Sequence, residues 1–321
     1  MQWDLLSSEL VRALRGKRTQ KQLSQKLGCR SNVLFAWENG RDSPSARKFF
    51  ELCHATGKPP MAILAQFKRG EPESSVLTQA GTSEWLRLLA GNRSAPELAR
   101  GLGRDRYAVG RWLRSQTEMP LPVLLEFIEL TTLGLLDFLA CVVDPSSLPQ
   151  VALSYQRLEA ARASAREKPW SHAIVHMVDL PSYARLPRHE PGWFASRLGI
   201  TTSDEQECLA LLVQMGRLSW DGACYRSTAV LNVDTRSDAE ATRQLAAFWM
   251  RQGAERVATG GSGRFAFNTF AVSRKDFEQL RELQSRYFAE LRSLIAESNV
   301  AEAVAVATFQ LYPLFVEPDG E

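Results

Sequence analysis

The sequence predicts a mainly α-helical protein: two tandem helix-turn-helix bundles followed by an α+β C-terminal domain with a winged-helix unit and a small sheet. Three observations support this fold class. A helical pattern near the N-terminus returns about 75 residues later, the first 115 residues are basic, and the remainder is acidic and mixes helix-like with strand-like patterns. We place the domains at residues 1–70, 76–144 and 151–321, separated by segments rich in proline and serine.

The composition excludes several classes of protein. A chain of 321 residues with 45% hydrophobic and 23% charged residues is typical of two or three globular domains, not of a disordered protein. The longest apolar stretch, residues 133–143, is too short to span a membrane and contains Asp137. The N-terminus lacks the pattern of an export signal, and the five scattered cysteines contain no C-x-x-C pair. We therefore expect a cytoplasmic protein with reduced thiols and no membrane association.

Charge is distributed unevenly along the chain. The net charge of +3 combines residues 1–115, with 20 Lys+Arg and 10 Asp+Glu, and residues 116–321, with 19 and 26. The first segment would attract a polyanion such as double-stranded DNA, and the second would repel it. A merely uneven spread of solvated surface charge is the alternative, and the motifs must decide between the two.

The repeat relates residues 15–37 to residues 90–112. An offset of 75 aligns glycines, an arginine, leucines and a tryptophan, and one further residue brings Pro44 opposite Pro120. Each copy predicts a capping box, a short helix ended by glycine, and a second short helix with an apolar inner face. A glycine-bearing turn between two short amphipathic helices is the helix-turn-helix pattern.

The helices follow in order from these signals. In the first copy Thr19-x-x-Gln22 begins a helix that ends at Leu27-Gly28, and in the second copy Ser94-x-x-Glu97 begins one that ends at Leu102-Gly103. Flanking helices are predicted at about residues 5–15, 46–56 and 61–67, with counterparts at about residues 83–90, 121–131 and 135–142.

The first copy, from Thr19 to Pro44, resembles the helix-turn-helix domain of the Cro and phage-repressor type, including the turn Trp37-Glu38-Asn39-Gly40. In that family the second helix of the motif enters the major groove and its first turn contacts base edges. The resemblance implies a phosphate contact from Gln20 at a helix N-terminus. The other DNA-binding residues that it implies are Arg30, Ser31, Asn32, Phe35 and Arg41.

The second copy departs from this pattern. Ala95 replaces Gln20, and Pro96 has no backbone N–H, so its grip on a phosphate should be weaker. Leu113 replaces Glu38, and Gly110 lies inside the second helix. The outer face is nevertheless basic, with candidate DNA-binding residues Arg104, Arg106, Tyr107, Arg111 and Arg114. This copy could read bases, clamp phosphates or serve as a pairing surface, and the sequence favours a clamp.

The acidic half begins with a polar helix at about residues 151–166. A short helix at residues 193–198, a longer one capped by residues 202–205 and a hairpin around Asp221-Gly222 predict a winged-helix unit. Because the longer helix begins with acidic residues, it favours packing or dimerisation over contact with DNA. The remaining pattern predicts a helix at 237–256, a strand at 264–272, a helix from the cap Ser273-x-x-Asp276 to about 296 and a strand at 304–314. The two strands would pair to form a small sheet.

This half resembles the domain-of-unknown-function 4423 family of predicted bacterial regulators over about residues 151–314. The matching segments include the stretch from Trp170, the junction from Thr269 to Asp276 and the closing Gln310-Leu311-Tyr312-Pro313-Leu314. The resemblance implies gene regulation and supplies neither a catalytic residue nor a signal. Such families usually carry one N-terminal helix-turn-helix, so two copies are a departure.

No enzyme, metal site or cofactor is predicted. His172 and His176 are four residues apart, but Ala173 stands where a zinc-protease helix has glutamate. Residues 260–263 lack the Lys-Ser/Thr that follows a phosphate-binding loop.

The leading hypothesis is a sequence-specific DNA-binding transcriptional regulator whose C-terminal half forms a homodimer or senses an unknown effector. Two alternatives stay open. One is a protein-interaction module of the antitoxin or anti-activator type, and the other is a sensor gated by a small molecule or peptide.

Overall fold

The computed structural model describes residues 1–228, 239–298 and 300–315. These residues are predominantly helical, which confirms the predicted mainly α fold class, and they contain one two-stranded antiparallel sheet. They divide into two compact units, residues 1–159 and residues 160–321. None of the described helices combines the length and the apolar character needed to cross a membrane.

The first unit begins with five helices: α1 (Trp3–Arg15), α2 (Gln20–Lys26), α3 (Ser31–Glu38), α4 (Ala46–Ala55) and α5 (Pro60–Phe67). The predicted capping box is formed, because the Gln22 amide donates to Thr19 Oγ1 while the Thr19 amide donates to Gln22 Oε1, both at 3.2 Å. Gly28 then turns the chain with a φ of 62°, a conformation that favours glycine. The two short helices α2 and α3 are therefore joined as the pattern predicted.

Five more helices follow in the same order and with similar lengths: α6 (Gln79–Ala90), α7 (Ala95–Gly101), α8 (Arg106–Leu113), α9 (Leu121–Thr132) and α10 (Leu135–Val142). An offset of 75 residues maps α2, α3 and α5 onto α7, α8 and α10 residue for residue. The same offset maps the first residue of α4 onto that of α9. The prediction that one inserted residue aligns Pro44 with Pro120 is therefore wrong. Ser45 and Pro120 are the equivalent N-cap residues, and Pro44 lies one position earlier.

Both helix groups share one hydrophobic core, which runs from Leu6 to Val151. The ring of Phe50 lies 5.5 Å from that of Trp85, measured between centroids. The Phe138 ring lies 5.9 Å from Trp85 and 5.4 Å from Phe67. Aromatic side chains of the two predicted domains 1–70 and 76–144 therefore interdigitate within a single compact unit.

The segment between the two groups is packed against the second group. Val76 is completely buried, and the Thr82 hydroxyl donates to its carbonyl oxygen at 2.8 Å. A Cβ atom at Gly81 would lie 2.2 Å from the Ser75 carbonyl oxygen, so only glycine fits there. The chain between the two helix groups is therefore held by close backbone contacts.

A backbone bridge also joins the two groups. Ser45 pairs with Pro120 as an isolated antiparallel β-bridge. The flanking hydrogen bonds run from the Ala46 amide to the Met119 carbonyl, at 2.7 Å, and from the Leu121 amide to the Pro44 carbonyl, at 2.8 Å.

Helix α11 (Ala152–Glu167) spans the boundary between the units. The second unit then contains α12 (Ser171–Met177), α13 (Pro181–Ala184), α14 (Ala195–Leu198), α15 (Thr202–Gln214), β1 (Leu218–Trp220), β2 (Tyr225–Ser227), α16 (Ala239–Ala258) and α17 (Arg274–Glu297). Its core is built from α12, α13, the start of α14, α15 and the hairpin, and includes Ile174, Tyr183, Phe194, Leu212 and Cys224.

Local predictions for this unit are largely confirmed. Trp220 pairs with Tyr225 across a turn in which the Asp221 carboxylate accepts from the Ala223 and Cys224 amides, at 2.9 and 2.8 Å. Ser273 caps α17 by accepting from the Asp276 amide. The cap of α15 is Thr201, one residue earlier than predicted.

The strands predicted at residues 264–272 and 304–314 are wrong. Neither segment pairs with another strand in the described parts of the chain, and the side chain of Phe267 is 98% exposed. A strand exists only where a partner satisfies its backbone groups, and an alternating sequence does not supply that partner.

Candidate nucleic-acid interface

Helix α3 separates an apolar inner face from a polar outer face. Leu34 and Trp37 are buried in the core, whereas Arg30 and Asn32 are exposed and the side chain of Phe35 is 43% exposed. Arg30 is the N-cap residue and Asn32 lies in the first turn. Ser31 begins the helix, but its side chain lies outside the described part of the structure.

Arg41 joins this outer surface from the loop after α3. Its guanidinium carbon lies 5.5 Å from the centroid of the Phe35 ring, a cation–π distance. Its backbone amide donates to the Ala36 carbonyl at 3.0 Å, which fixes the loop against the helix. The structure thus brings Arg30, Asn32, Phe35 and Arg41 together around one short helix.

A buried carboxylate anchors α3 from behind. Glu38 is 4% exposed and accepts hydrogen bonds from Arg15 Nε of α1 and, at 2.6 Å, from Gln20 Nε2 of α2. Its carbonyl oxygen accepts from Arg12 Nη2, also at 2.6 Å. The side-chain amide nitrogen of Gln20, predicted to contact a phosphate, is therefore engaged with Glu38. Sequence reasoning missed Arg15 and Glu38, which are 23 residues apart and meet only in the folded chain.

The second copy has no such network. The counterparts of Arg15, Gln20 and Glu38 are Ala90, Ala95 and Leu113, all apolar and packed on the core.

The backbone contacts are nevertheless retained. Arg87 Nη1 donates to the Leu113 carbonyl at 2.6 Å, just as Arg12 donates to the carbonyl of Glu38. A charged anchor in one copy thus corresponds to an apolar anchor in the other, and the helices keep the same arrangement.

Helix α8 presents a basic and aromatic surface. Asp105 caps the helix by accepting from the Tyr107 amide at 2.8 Å. The Arg106 guanidinium carbon lies 4.7 Å from the centroid of the Tyr107 ring, and Arg106 Nη2 donates to the Tyr107 hydroxyl at 2.7 Å. Tyr107 is 60% exposed. This stacked pair occupies the first turn, where α3 has Ser31 and Asn32.

The other predicted arginines lie around α8. Arg111 and Arg114 are exposed, and a Cβ atom at Gly110 would lie 3.0 Å from Arg114 Nη1, so the Arg114 side chain folds back over that glycine. Arg104, in the preceding turn, lies 4.0 Å from a carboxylate oxygen of Glu126. Three arginines therefore surround the helix: Arg106, Arg111 and Arg114. Among the described residues, no carboxylate forms an ion pair with any of the three.

Two known protein families match parts of the chain. The sequence model of the helix-turn-helix family matches residues 11–63, which contain α2, α3 and α4. The family described as Domain of unknown function (DUF4423) matches residues 151–314, just over half of the chain. No curated protein and no solved structure matches the chain.

Proposed function

The chain belongs to the DUF4423 family and carries an N-terminal helix-turn-helix, which supports a DNA-binding regulator in general. From this premise we propose a sequence-specific transcriptional regulator that reads double-stranded DNA with α3 and performs no catalysis. The observation that carries the proposal is the two-sided character of α3. Its inner face is buried, its outer face is polar and aromatic, and it lies within the matched domain.

The outer side chains of α3 suit base edges in a major groove. The Asn32 amide can donate to and accept from an adenine, Arg30 can donate to guanine or to a phosphate, and Phe35 can contact a thymine methyl group. Arg41, held beside the Phe35 ring, adds a positive charge next to the groove. Gln20 donates to Glu38 and so helps to hold α3 in place. We also propose that Gln20 contacts a phosphate at the N-terminus of α2.

The second copy is proposed as a helix-turn-helix repeat that clamps phosphates. Its support is the offset of 75 residues that maps α7 and α8 onto α2 and α3. Arg104, Arg106, Arg111 and Arg114 can neutralise phosphates, and Tyr107 can donate a hydrogen bond to one. Asp105 occupies the position of Arg30, and Gly110 that of Phe35. The second copy therefore lacks two of the side chains that are proposed to contact bases in the first copy.

The C-terminal half is proposed to form a homodimer or to sense an effector, through a winged-helix arrangement of α15 and the hairpin. Its support is exposed apolar surface: Leu283, Tyr287 and Leu294 on α17 are each about half exposed or more. Contiguous exposed apolar side chains mark interaction surfaces. The same observation supports the second candidate function, a protein-interaction module.

A salt titration of DNA binding distinguishes these functions. A regulator should lose affinity linearly in log[salt], with a slope that reports the number of phosphates neutralised. Asn32→Ala should weaken binding to the preferred sequence and leave binding to scrambled DNA unchanged. A chain that binds no DNA at low salt would contradict the proposal and favour the interaction module.

A further inference from the structure

The two helix groups of residues 1–159 are related by an approximate two-fold axis. Under the offset of 75, Ala46 corresponds to Leu121, and Pro44 corresponds to Met119. The two hydrogen bonds of the bridge therefore exchange with each other, and the Ser45–Pro120 pair maps onto itself. An antiparallel pair of backbone segments has this symmetry by construction.

The helix contacts obey the same symmetry. Helix α4 packs against its own counterpart α9, and α5 packs against its counterpart α10. Helix α1 contacts α9, and its counterpart α6 contacts α4. Each copy therefore uses the surfaces that its partner copy uses, which is the arrangement of an isologous dimer. Here the arrangement is built within one polypeptide.

The symmetry places α3 and α8 at equal distance from the axis and at the same height along it. Seven residues lead from Glu38, the end of α3, to Ser45 at the axis, and they can span at most about 25 Å. Half-sites one helical turn apart require reading helices separated by roughly 34–36 Å, so each must lie about 17 Å from the axis. The chain length allows that separation.

The two outer surfaces are unlike at each matched position. Arg30 corresponds to Asp105, Asn32 to Tyr107, and Phe35 to Gly110. A two-fold arrangement of unlike surfaces fits a DNA site of two unlike halves, because operator symmetry mirrors protein symmetry.

We propose that one chain occupies one complete bipartite DNA site, with α3 reading one half and α8 holding the other half one helical turn away. This inference rests on the proposed function, since it presupposes that α3 binds DNA. A homodimer through the C-terminal half would then bring two such sites together instead of completing one.

The test uses the full chain and a library of random duplexes of about 30 base pairs. Enrichment should yield a non-palindromic motif in which the α3 half is sharply defined and the half held by α8, centred about 10 base pairs away, carries little base preference. Titration of the enriched duplex at concentrations far above Kd should saturate at one duplex per chain, whether or not the C-terminal half dimerises. Asn32→Ala should relax the preference in one half only, with an affinity loss of about 5–150-fold on the parent motif.

The matched control is Tyr107→Ala, the same substitution at the corresponding position of the second copy. It should leave the sequence preference of the α3 half unchanged and lower affinity through the other half. A palindromic motif, relaxed in both halves by Asn32→Ala and saturating at one duplex per two chains, would overturn the inference and leave DNA reading by α3 intact. No enriched motif at all would overturn both proposals.

A separate observation concerns a buried arginine in the second unit. Arg217, between α15 and β1, is 3% exposed, and its Nη1 atom has no hydrogen-bond partner. Its Nη2 atom lies 3.4 Å from His172 Nδ1, and His172 Nε2 lies 3.1 Å from His176 Nε2. The nearby Asp179 carboxylate accepts from the Ser227 hydroxyl. Within the described part of the chain no carboxylate pairs with Arg217.

Such a guanidinium is costly to bury unless an anion compensates it. Its planar fork of donors matches a carboxylate or phosphate in two parallel hydrogen bonds. His172 and His176 add ring nitrogens beside it, and both histidines are partly exposed. No group of three His, Cys, Asp or Glu side chains suited to a metal occurs among the described residues. We infer that Arg217, His172 and His176 form a binding site for a small oxyanion.

The test compares thermal unfolding of the full chain in inorganic phosphate, in acetate and in chloride at matched ionic strength. Phosphate or acetate should raise the Tm of the second unit by about 2–4 °C over chloride, and the more effective anion identifies the ligand class. Arg217→Met should abolish the difference without lowering the Tm in chloride, because it removes an uncompensated buried charge. The control Arg185→Met changes an exposed arginine of the same unit and should keep the difference.

Arg217→Lys keeps the positive charge but not the planar pair of donors, so it should retain only part of the anion-dependent rise in Tm. This second variant keeps the test valid if Arg217→Met fails to fold. An equal anion effect in parent and Arg217→Met, or none in the parent, would overturn the inference.

Discussion

Glu38 and Arg15 form a hydrogen-bonded ion pair that ties the end of α3 to α1, and Gln20 shares the same carboxylate. Seventy-five residues later, all three positions are apolar. A carboxylate that is 4% exposed is costly without its donors. The three positions are therefore coupled, and each copy has its own consistent set.

Glu38→Leu alone should lower the free energy of unfolding by about 1–3 kcal/mol, since Arg15 and Gln20 lose their acceptor in a partly buried site. The triple variant Arg15→Ala/Gln20→Ala/Glu38→Leu reproduces the set of the second copy and should recover most of that loss. Urea unfolding of the single and triple variants measures both. A triple variant as unstable as the sum of its single substitutions would show that the positions are independent.

Arg106→Ala/Arg111→Ala should reduce affinity equally for the preferred site and for scrambled DNA. Two lost phosphate contacts should also make the slope of log affinity against log[salt] shallower by about two. Binding isotherms between 50 and 300 mM salt, on the order of ten concentrations, give that slope. A loss confined to the preferred site would instead make α8 a base reader.

Phe138→Ala should destabilise both helix groups, by about 3–5 kcal/mol, because its ring packs between Phe49, Phe67 and Trp85 of the shared core. Hydrogen exchange should show an equal loss of protection in α2 and α7. Phe267→Ala, at a side chain that is 98% exposed, is the control and should change stability by less than about 0.5 kcal/mol. Loss of protection in α7 alone would mean that the two groups unfold separately.

Acidification should destabilise the second unit. Burial, with smaller contributions from His176 and Arg217, lowers the pKa of His172 from 6.5 to about 3. Between those two pH values the unfolded chain binds a proton that the folded chain does not, so stability is complete above pH 6.5 and falls as the pH falls. The loss from pH 7.5 to pH 5 should be about 2 kcal/mol, measured by urea unfolding. His172→Gln should flatten this dependence, and an unchanged pH profile in that variant would contradict the assignment.

Features encoded within a few residues could be predicted from the sequence. The capping boxes at Thr19 and Ser94 and the hairpin at Asp221-Gly222 are formed as expected, because a cap or a tight turn depends on the residues that compose it. The exposed face of α3 follows from the same local spacing, since Leu34 and Trp37 must face the core.

Features that depend on distant residues could not be predicted. The contact of Gln20 depends on Glu38, 18 residues away, and the pairing of the two copies depends on a bridge between Ser45 and Pro120. The alternation at residues 264–272 has the composition of a strand, but pairing requires a neighbour that sequence alone cannot provide. The acidic start of α15 predicts packing or dimerisation rather than contact with DNA. Glu205, in that first turn, is fully buried, and its carboxylate accepts from the Gly192 amide at 2.8 Å.

Because a single polypeptide holds both helix groups around one core, their association has no dissociation constant and does not change on dilution. Two separate chains would form such a pair in proportion to the square of their concentration, whereas here every folded molecule carries it. The effect of a mutation differs as well. One substitution in a homodimer alters both halves at once, whereas in this chain it alters one helix group only. Ala90, Ala95 and Leu113 stand at the positions that correspond to Arg15, Gln20 and Glu38, so the two helix groups already differ there.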